Sequence, residues 1–158
     1  MTKVTTRFPT ASDFGADTIE RLSTLINAVY DEAESGMWKR KGTRTSPAEV
    51  ERLLRVRALV LAELDCTLVA DANFRAKGIG AALIDHAESW ARQFHSHTMR
   101  LELLTPRHWT HPSKEFLKAW YTRLGYVPQA TEPFEILHPE LVPELATECD
   151  FTVWHKPL

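Results

Sequence analysis

A glycine-rich turn between a short apolar run and a long amphipathic stretch is the feature that most constrains this chain. The run is Leu68-Val69-Ala70, the turn is Arg75-Ala-Lys-Gly78-Ile-Gly80, and the helical pattern continues to Arg92. Glycines let a backbone approach a ligand closely, and the first N–H groups of a helix, aided by its dipole, favour an anion. The order therefore predicts a strand, a phosphate-binding turn and a helix.

The spacing of the turn excludes two common nucleotide-binding patterns. No Ser or Thr follows a Gly-Lys pair, as a P-loop requires, and the first glycine of the dinucleotide pattern G-x-G-x-x-G is missing. The chain carries Arg-x-x-Gly-x-Gly instead. Taken alone, that hexapeptide fits an ordinary Gly-rich connection between a strand and a helix equally well.

Length and composition limit the class of protein. With 158 residues the chain can bury a hydrophobic core, and we expect one domain over residues 1–158. A net charge of -2 gives no concentrated basic surface for nucleic acid, and no apolar run is long enough to span a membrane. Cys66 and Cys149 lack metal-ligand spacing, so we expect no metal. The first ten residues resemble no signal peptide, which predicts a cytoplasmic protein.

Hydrophobic periodicity predicts helices inserted between strands. Ser46-Pro47-Ala48-Glu49 is the clearest helix start, with an N-cap Ser followed by Pro. Other helices are predicted from Asp17 to near Gly36, after Gly80, and from Pro112 to about Leu124, the last with Phe116 and Leu117 in the core. Strands are predicted at Lys3–Phe8, Leu59–Leu64, Leu68–Ala70, Met99–Leu104, around Pro133–Leu137, and at Asp150–His155. The fold class is mixed α/β, of the α+β type.

A second motif follows the glycine-rich turn after one helix and one strand. It reads Leu117-Lys-Ala-Trp-Tyr121-Thr-Arg-Leu-Gly-Tyr126. The two motifs, in this order and at this separation, resemble the acetyl-CoA loop and motif B of the Gcn5-related N-acetyltransferases, the GNAT superfamily. The resemblance runs from about Leu68 to Tyr126. It implies a GNAT-like central mixed β-sheet flanked by helices.

The resemblance also implies a function, namely transfer of an acetyl group from acetyl-CoA to an amine of a small molecule or peptide. In the family, the pyrophosphate lies on backbone N–H groups of the turn, and the pantetheine arm pairs with the preceding strand. The cofactor-binding positions implied here are Leu68, Val69, Ala70, Arg75, Ala76, Lys77, Gly78, Ile79, Gly80 and Ala81.

Two residues are implied as catalytic. Tyr121 occupies the family position for a tyrosine near the CoA sulfur, where a phenol with an ordinary pKa of about 10 is suited to protonating a thiolate. A tyrosine packed in the core is the alternative. Glu102 is the candidate base, although a solvated strand carboxylate fits the same pattern, and His108 or His111 in the following loop could also serve.

Acidic and aromatic residues between the first two helices are candidates for binding the acceptor. Glu34 could hold a cationic amine, Trp38 could wall the pocket by a cation–π contact, and His111 belongs to a second polar-aromatic loop. A solvated helix end with one anchoring Trp is the alternative reading.

One departure from the family pattern bears on catalysis. Only Asp65-Cys66-Thr67 separates the strand ending at Leu64 from Leu68, where family members have another central strand. The sheet must then close up, recruit a strand or leave a gap. This leaves a second hypothesis, a GNAT-like domain that binds acyl-CoA or a protein without turnover. A homodimer that supplies a strand is also possible.

Overall fold

The computed structural model describes residues 3–42, 44–64, 67–68 and 77–158. The chain divides into two compact units, Met1–Val29 with Gly42–Phe94 and Tyr30–Lys41 with His95–Leu158. Each unit contains helices and a three-stranded sheet in which the neighbouring strands are antiparallel. The mixed α/β class predicted from the sequence is confirmed.

The sheet of the first unit has the order β1-β2-β3, formed by Val4–Arg7, Leu61–Leu64 and Thr67–Leu68. Strand β1 lies at the edge of this sheet and pairs with β2, so the strand predicted at Lys3–Phe8 is confirmed. Strands β2 and β3 are direct neighbours, with Leu64 opposite Thr67 and Glu63 opposite Leu68. Of the three outcomes expected for the shortened segment, the sheet has therefore closed up.

Three helices belong wholly or mainly to this unit: α1 (Ala16–Ala33), α2 (Pro47–Arg55) and α3 (Ile79–Gln93). The predicted start of α2 is confirmed, because the Ser46 hydroxyl accepts a hydrogen bond of 3.2 Å from the backbone N–H of Glu49. The apolar faces of α1 and α2 meet β2 in one core. Its buried members are Ile19, Leu22, Val50, Leu54 and Leu61.

The sheet of the second unit has the order β4-β6-β5, formed by Thr98–Pro106, Cys149–Pro157 and Val127–Pro133. The strand predicted around Pro133–Leu137 is wrong, because the strand ends at Pro133 and Phe134–Leu137 is a short helix, α5. Proline lacks a backbone N–H and is tolerated at sheet edges. Strand β5 is such an edge, and its pairing with β6 is irregular between Pro128 and Ala130.

Helix α4 (Pro112–Arg123) follows β4, and its buried face differs from the predicted one. Phe116 is 61% exposed, whereas Lys114 is only 3% exposed. The predicted core position of Phe116 is therefore wrong. The helix ends as expected, since Gly125 follows it with a left-handed φ of 90°.

Replacement of Gly125 should show how much a glycine in the left-handed conformation contributes to stability at the end of α4. Gly125→Ala places a β-carbon on a backbone with positive φ, and we expect the free energy of unfolding to fall by about 1 kcal/mol. Gly15→Ala is the matched control, because Gly15 has a φ of -68° and open space around it. Urea denaturation of both variants measures the difference, and an equal effect at the two positions would contradict the assignment.

Candidate active site

The turn before α3 presents backbone donors that the helix itself does not use. Gly78 is the N-cap residue in a left-handed conformation, it has no side chain with which to cap the helix, and the first turn of α3 contains no acidic residue. The backbone N–H of Ala82 bonds to the Gly78 carbonyl at 3.0 Å. The N–H groups of Ile79, Gly80 and Ala81 precede that bond and have no acceptor within the helix.

Several residues of this turn are exposed. They are Lys77, Gly78, Gly80 and Ala81, and a β-carbon placed on Gly78 would meet no heavy atom of the described residues within 4 Å. A helix start with exposed residues and free first N–H groups fits a phosphate group. The predicted cofactor-binding residues Val69, Ala70, Arg75 and Ala76 lie outside the described residues, and Leu68 lies in β3.

Tyr121 lies on α4 in a cluster of aromatic rings. Its ring centroid is 5.2 Å from that of Trp120, 5.9 Å from Tyr126 and 6.3 Å from Trp154. Burial, and then the nearby Tyr30, raise the pKa of the Tyr121 phenol above its ordinary value of 10.0. The phenol is therefore protonated at neutral pH. Among the described residues, none forms a hydrogen bond with its hydroxyl group.

Glu102 lies on β4, opposite Val153 of β6, and its side chain is exposed. The carboxylate accepts a hydrogen bond from the guanidinium group of Arg100, two residues earlier on the same face of the strand.

Three residues predicted to bind the acceptor, Glu34, Trp38 and His111, are brought together in the second unit, where they surround Lys114. The ammonium group of Lys114 donates to Glu34 Oε1 at 2.9 Å, and the indole N–H of Trp38 donates to Glu34 Oε2 at 2.6 Å. Glu34 is 8% exposed and Lys114 is 3% exposed. Both carboxylate oxygens of Glu34 are thus engaged inside the protein, so its charge is compensated before any ligand arrives.

His111 is the N-cap residue of α4 and lies beside this ion pair. Its Nδ1 accepts a hydrogen bond of 3.2 Å from the backbone N–H of Ser113. Burial, and then the positive charge of Lys114, lower the pKa of the imidazole below its ordinary value of 6.5. The ring is therefore neutral at neutral pH, and it caps the start of α4.

The segment that follows Glu34 is held by further contacts in the same unit. Met37 is fully buried with Leu104, Phe134 and Cys149. The Met37 carbonyl accepts a hydrogen bond of 2.8 Å from the backbone N–H of Ala146. Burial raises the pKa of the Cys149 thiol to about 11, so the thiol is neutral and serves as a packing group.

Lys114 is the residue of this cluster that the sequence reasoning missed. One signal was available, because Lys114, Leu117 and Tyr121 recur at helical spacing and share a face of α4. A lysine on the face that also carries a predicted functional tyrosine indicates a buried partner. That partner, Glu34, lies 80 residues away in the sequence.

Within residues 3–42, 44–64, 67–68 and 77–158, no three His, Cys, Asp or Glu side chains are grouped to hold a metal ion. No helix in those ranges is both long and apolar enough to cross a membrane.

Comparison with known proteins places the two motifs in one family segment. Residues 62–126 match the model of the Acetyltransferase (GNAT) family, and this range contains both the turn and Tyr121. In a comparison by sequence with curated proteins, none matches the chain. The resemblance to the GNAT superfamily is confirmed for this segment.

Solved structures extend the likeness to nearly the whole chain. The ribosomal-protein-alanine N-acetyltransferase from Brucella melitensis has 16% identity and a TM-score of 0.66, covering 98% of this chain and 99% of that chain. An N-acetyltransferase from Staphylococcus aureus Mu50 has 13% identity and a TM-score of 0.63, covering 98% of both. Ard1 from Thermoplasma volcanium has 15% identity and a TM-score of 0.60, covering 98% and 97%. Likeness at such low identity shows the fold, which is the GNAT fold.

The neutral, buried state of His111 predicts a pH dependence of stability. As pH falls below about 6.5, the unfolded chain binds a proton at this position before the folded protein does, so the free energy of unfolding falls. The slope contributed by one proton is at most about 1.4 kcal/mol per pH unit. His111→Asn keeps an N-cap acceptor for Ser113 but cannot titrate, so its stability should change less between about pH 7 and about pH 5.

Urea denaturation at several pH values measures this difference, because other titrating groups contribute equally to both proteins. His108→Asn is the matched control, since His108 is exposed and pairs with Glu148 at 2.6 Å. Parallel pH profiles for the wild type and His111→Asn would show that His111 is not held neutral.

Proposed function

We propose that this chain, which has the GNAT fold and matches the GNAT family over residues 62–126, is an acetyl-CoA-dependent N-acetyltransferase acting on an amine of a small molecule or peptide. The start of α3 within the matched segment, where the first N–H groups have no acceptor in the helix and the N-cap is a glycine, carries this proposal. The names of the three solved relatives include two N-acetyltransferases, which supports the same reaction class. Because those structures cover 98% of the chain, we propose that both units form one acetyltransferase domain.

In this proposal the backbone of the turn binds the pyrophosphate of the co-substrate. The N–H groups of Ile79, Gly80 and Ala81 donate to the phosphate oxygens, and the dipole of α3 adds a favourable field. The absence of an acidic side chain from the first turn of α3 leaves that field uncompensated. Residues 68–70 and 75–77 complete the proposed binding surface.

Bound acetyl-CoA supplies the thioester that an amine attacks, with release of the CoA thiol. Tyr121 is the proposed general acid, because its raised pKa keeps a proton on the phenol until a strongly basic thiolate departs. Glu102 is the proposed base, because it is a carboxylate on β4 whose exposure lets it accept a proton through water.

Glu34, Trp38 and His111 form the proposed acceptor wall. Since both oxygens of Glu34 are engaged, its role in this proposal is to hold the Trp38 indole rather than to bind a cation itself. Trp38 and the neighbouring His111 then supply uncharged surface to the acceptor.

A second function, binding of acyl-CoA without turnover, follows from a different observation. The direct pairing of β2 with β3 shortens the sheet immediately before the turn. Such a change could preserve the turn while altering the acceptor side. Measurement of turnover separates the two functions.

Tyr121→Phe tests the proposed reaction. We expect the wild type to release CoA thiol from acetyl-CoA with at least one member of a panel of amines. The variant should lose about 100-fold in kcat, the usual scale for removal of a general acid. Calorimetry should show unchanged acetyl-CoA binding, because the substitution removes one hydroxyl group and leaves the turn that binds the pyrophosphate intact. Full activity of the variant would refute the acid role, and binding without turnover in the wild type would support the second function.

Gly80→Phe tests the proposed phosphate site. A large side chain in the exposed first turn of α3 should block close approach of a phosphate, and we expect the dissociation constant for acetyl-CoA to rise at least about ten-fold. Gly15→Phe is the matched control, because it adds the same side chain to another exposed glycine. Equal affinity of both variants for acetyl-CoA would show that the turn is not part of the binding site.

A further inference from the structure

A cleft in the first unit lies between the edge strand β1 and helix α3. Its volume is about 290 Å³, close to the lower end of the range for ligand sites, about 300–1,000 Å³. One wall consists of β1 residues and the residue after β1. The other is a face of α3 on which Asp85, Ser89 and Gln93 recur every four residues. A cleft of this size suits a small molecule.

Direct contacts join the two walls of the cleft. His86 Nδ1 on α3 and the Thr6 hydroxyl on β1 share a hydrogen bond of 3.0 Å. The ring of Phe8, which follows β1, meets the His86 ring edge-on, with centroids 5.1 Å apart. Because these contacts connect strand and helix, the cleft has its shape before a ligand binds, and binding need not order it.

Aromatic rings form part of the lining. The ring centroids of Phe8 and Trp90 are 6.0 Å apart, and Trp90 is 46% exposed. An aromatic face attracts a cation that lies within about 6 Å of the ring centroid. Phe8 already has such a neighbour, since the Arg57 guanidinium lies 5.9 Å from its centroid. Trp90 is therefore the aromatic residue of the cleft that a ligand can reach.

A carboxylate without a partner also lines the cleft. Asp85 is exposed and forms no ion pair or hydrogen bond with another described residue. No lysine or arginine occurs among the described residues that line the cleft. Ser89 and Gln93 are exposed and add uncharged polar groups. A ligand that suits this lining carries a positive charge beside an apolar surface.

We propose that this cleft binds a small organic ammonium ion, whose charge is compensated by Asp85 and whose alkyl groups contact the indole of Trp90. Aromatic faces recognise quaternary ammonium groups by cation–π attraction, and a nearby carboxylate adds to that attraction. Ser89 and Gln93 hydrogen-bond a polar group on the rest of the ligand. The site is distinct from acetyl transfer, because a quaternary nitrogen has no lone pair with which to attack a thioester.

Choline and 3,3-dimethyl-1-butanol test this proposal, because the two compounds have nearly the same shape and only choline is charged. We expect an NMR titration, followed through the backbone amide signals of α3, to give a dissociation constant for choline at least about ten-fold lower than that for the alcohol. Equal affinity for the two compounds, or no change of the α3 signals with choline, would overturn the proposal.

Two variants separate the contributions of charge and ring. Asp85→Asn should raise the dissociation constant for choline about three-fold and leave that for the alcohol unchanged, because an exposed ion pair contributes modestly. Trp90→Leu keeps an apolar side chain without an aromatic face, so the preference for choline over the alcohol should fall about five-fold.

Asp17→Asn is the matched control, since it removes the same charge from another exposed aspartate of the first unit, in the first turn of α1. It should leave both dissociation constants unchanged, and an equal loss of choline affinity in Asp17→Asn and Asp85→Asn would overturn the assignment to the cleft. If circular dichroism shows that Trp90→Leu is unfolded, Asp85→Asn decides, and unchanged choline affinity there would refute the proposal. These measurements need no acetyl-CoA, so their result stands whether or not the protein transfers acetyl groups.

Discussion

The ion pair between Lys114 and Glu34 is the interaction on which the second unit depends. Both groups have lost nearly all contact with water, so each needs the other to compensate for desolvation. This requirement ties the end of α1 to the start of α4 and orients Trp38 through the second carboxylate oxygen. Burial, and then the positive charge of the neighbouring Lys114, lower the pKa of His111 and keep its ring neutral beside the pair.

Residues whose polar atoms are all hydrogen-bonded inside the protein have a structural role, whereas residues with unused polar atoms can bind a ligand. Glu34 uses both of its oxygens inside the protein, and this marks it as framework. The first N–H groups of α3 have no helical acceptor, and the Tyr121 hydroxyl has no partner among the described residues. Polar groups left without partners are uncommon in folded proteins, and a ligand is one way to complete them. The proposed site is therefore assigned from groups that the fold leaves incomplete.

Local signals in the sequence were sufficient to predict helix ends that depend on one residue with a strong conformational preference. Ser46 before α2, Gly125 after α4 and Gly78 before α3 each carry their own conformational preference. Features that depend on distant partners were not predictable in the same way. The burial of Lys114 requires its ion-pair partner Glu34. The prolines of β5 are tolerated because β5 pairs with β6 on one side and forms the edge of the sheet.

The two-residue connection between β2 and β3 restricts how this part of the chain can change in evolution. Leu64 lies directly opposite Thr67, so only two residues of sequence connect the paired positions. Successive strand residues face opposite sides of a sheet, and a shift of one residue exchanges those sides. A single residue inserted within β2 or β3 would thus exchange the sides of the strand residues that follow it, whereas two would restore them. Length variants with insertions inside these strands should therefore retain function when the number of inserted residues is even.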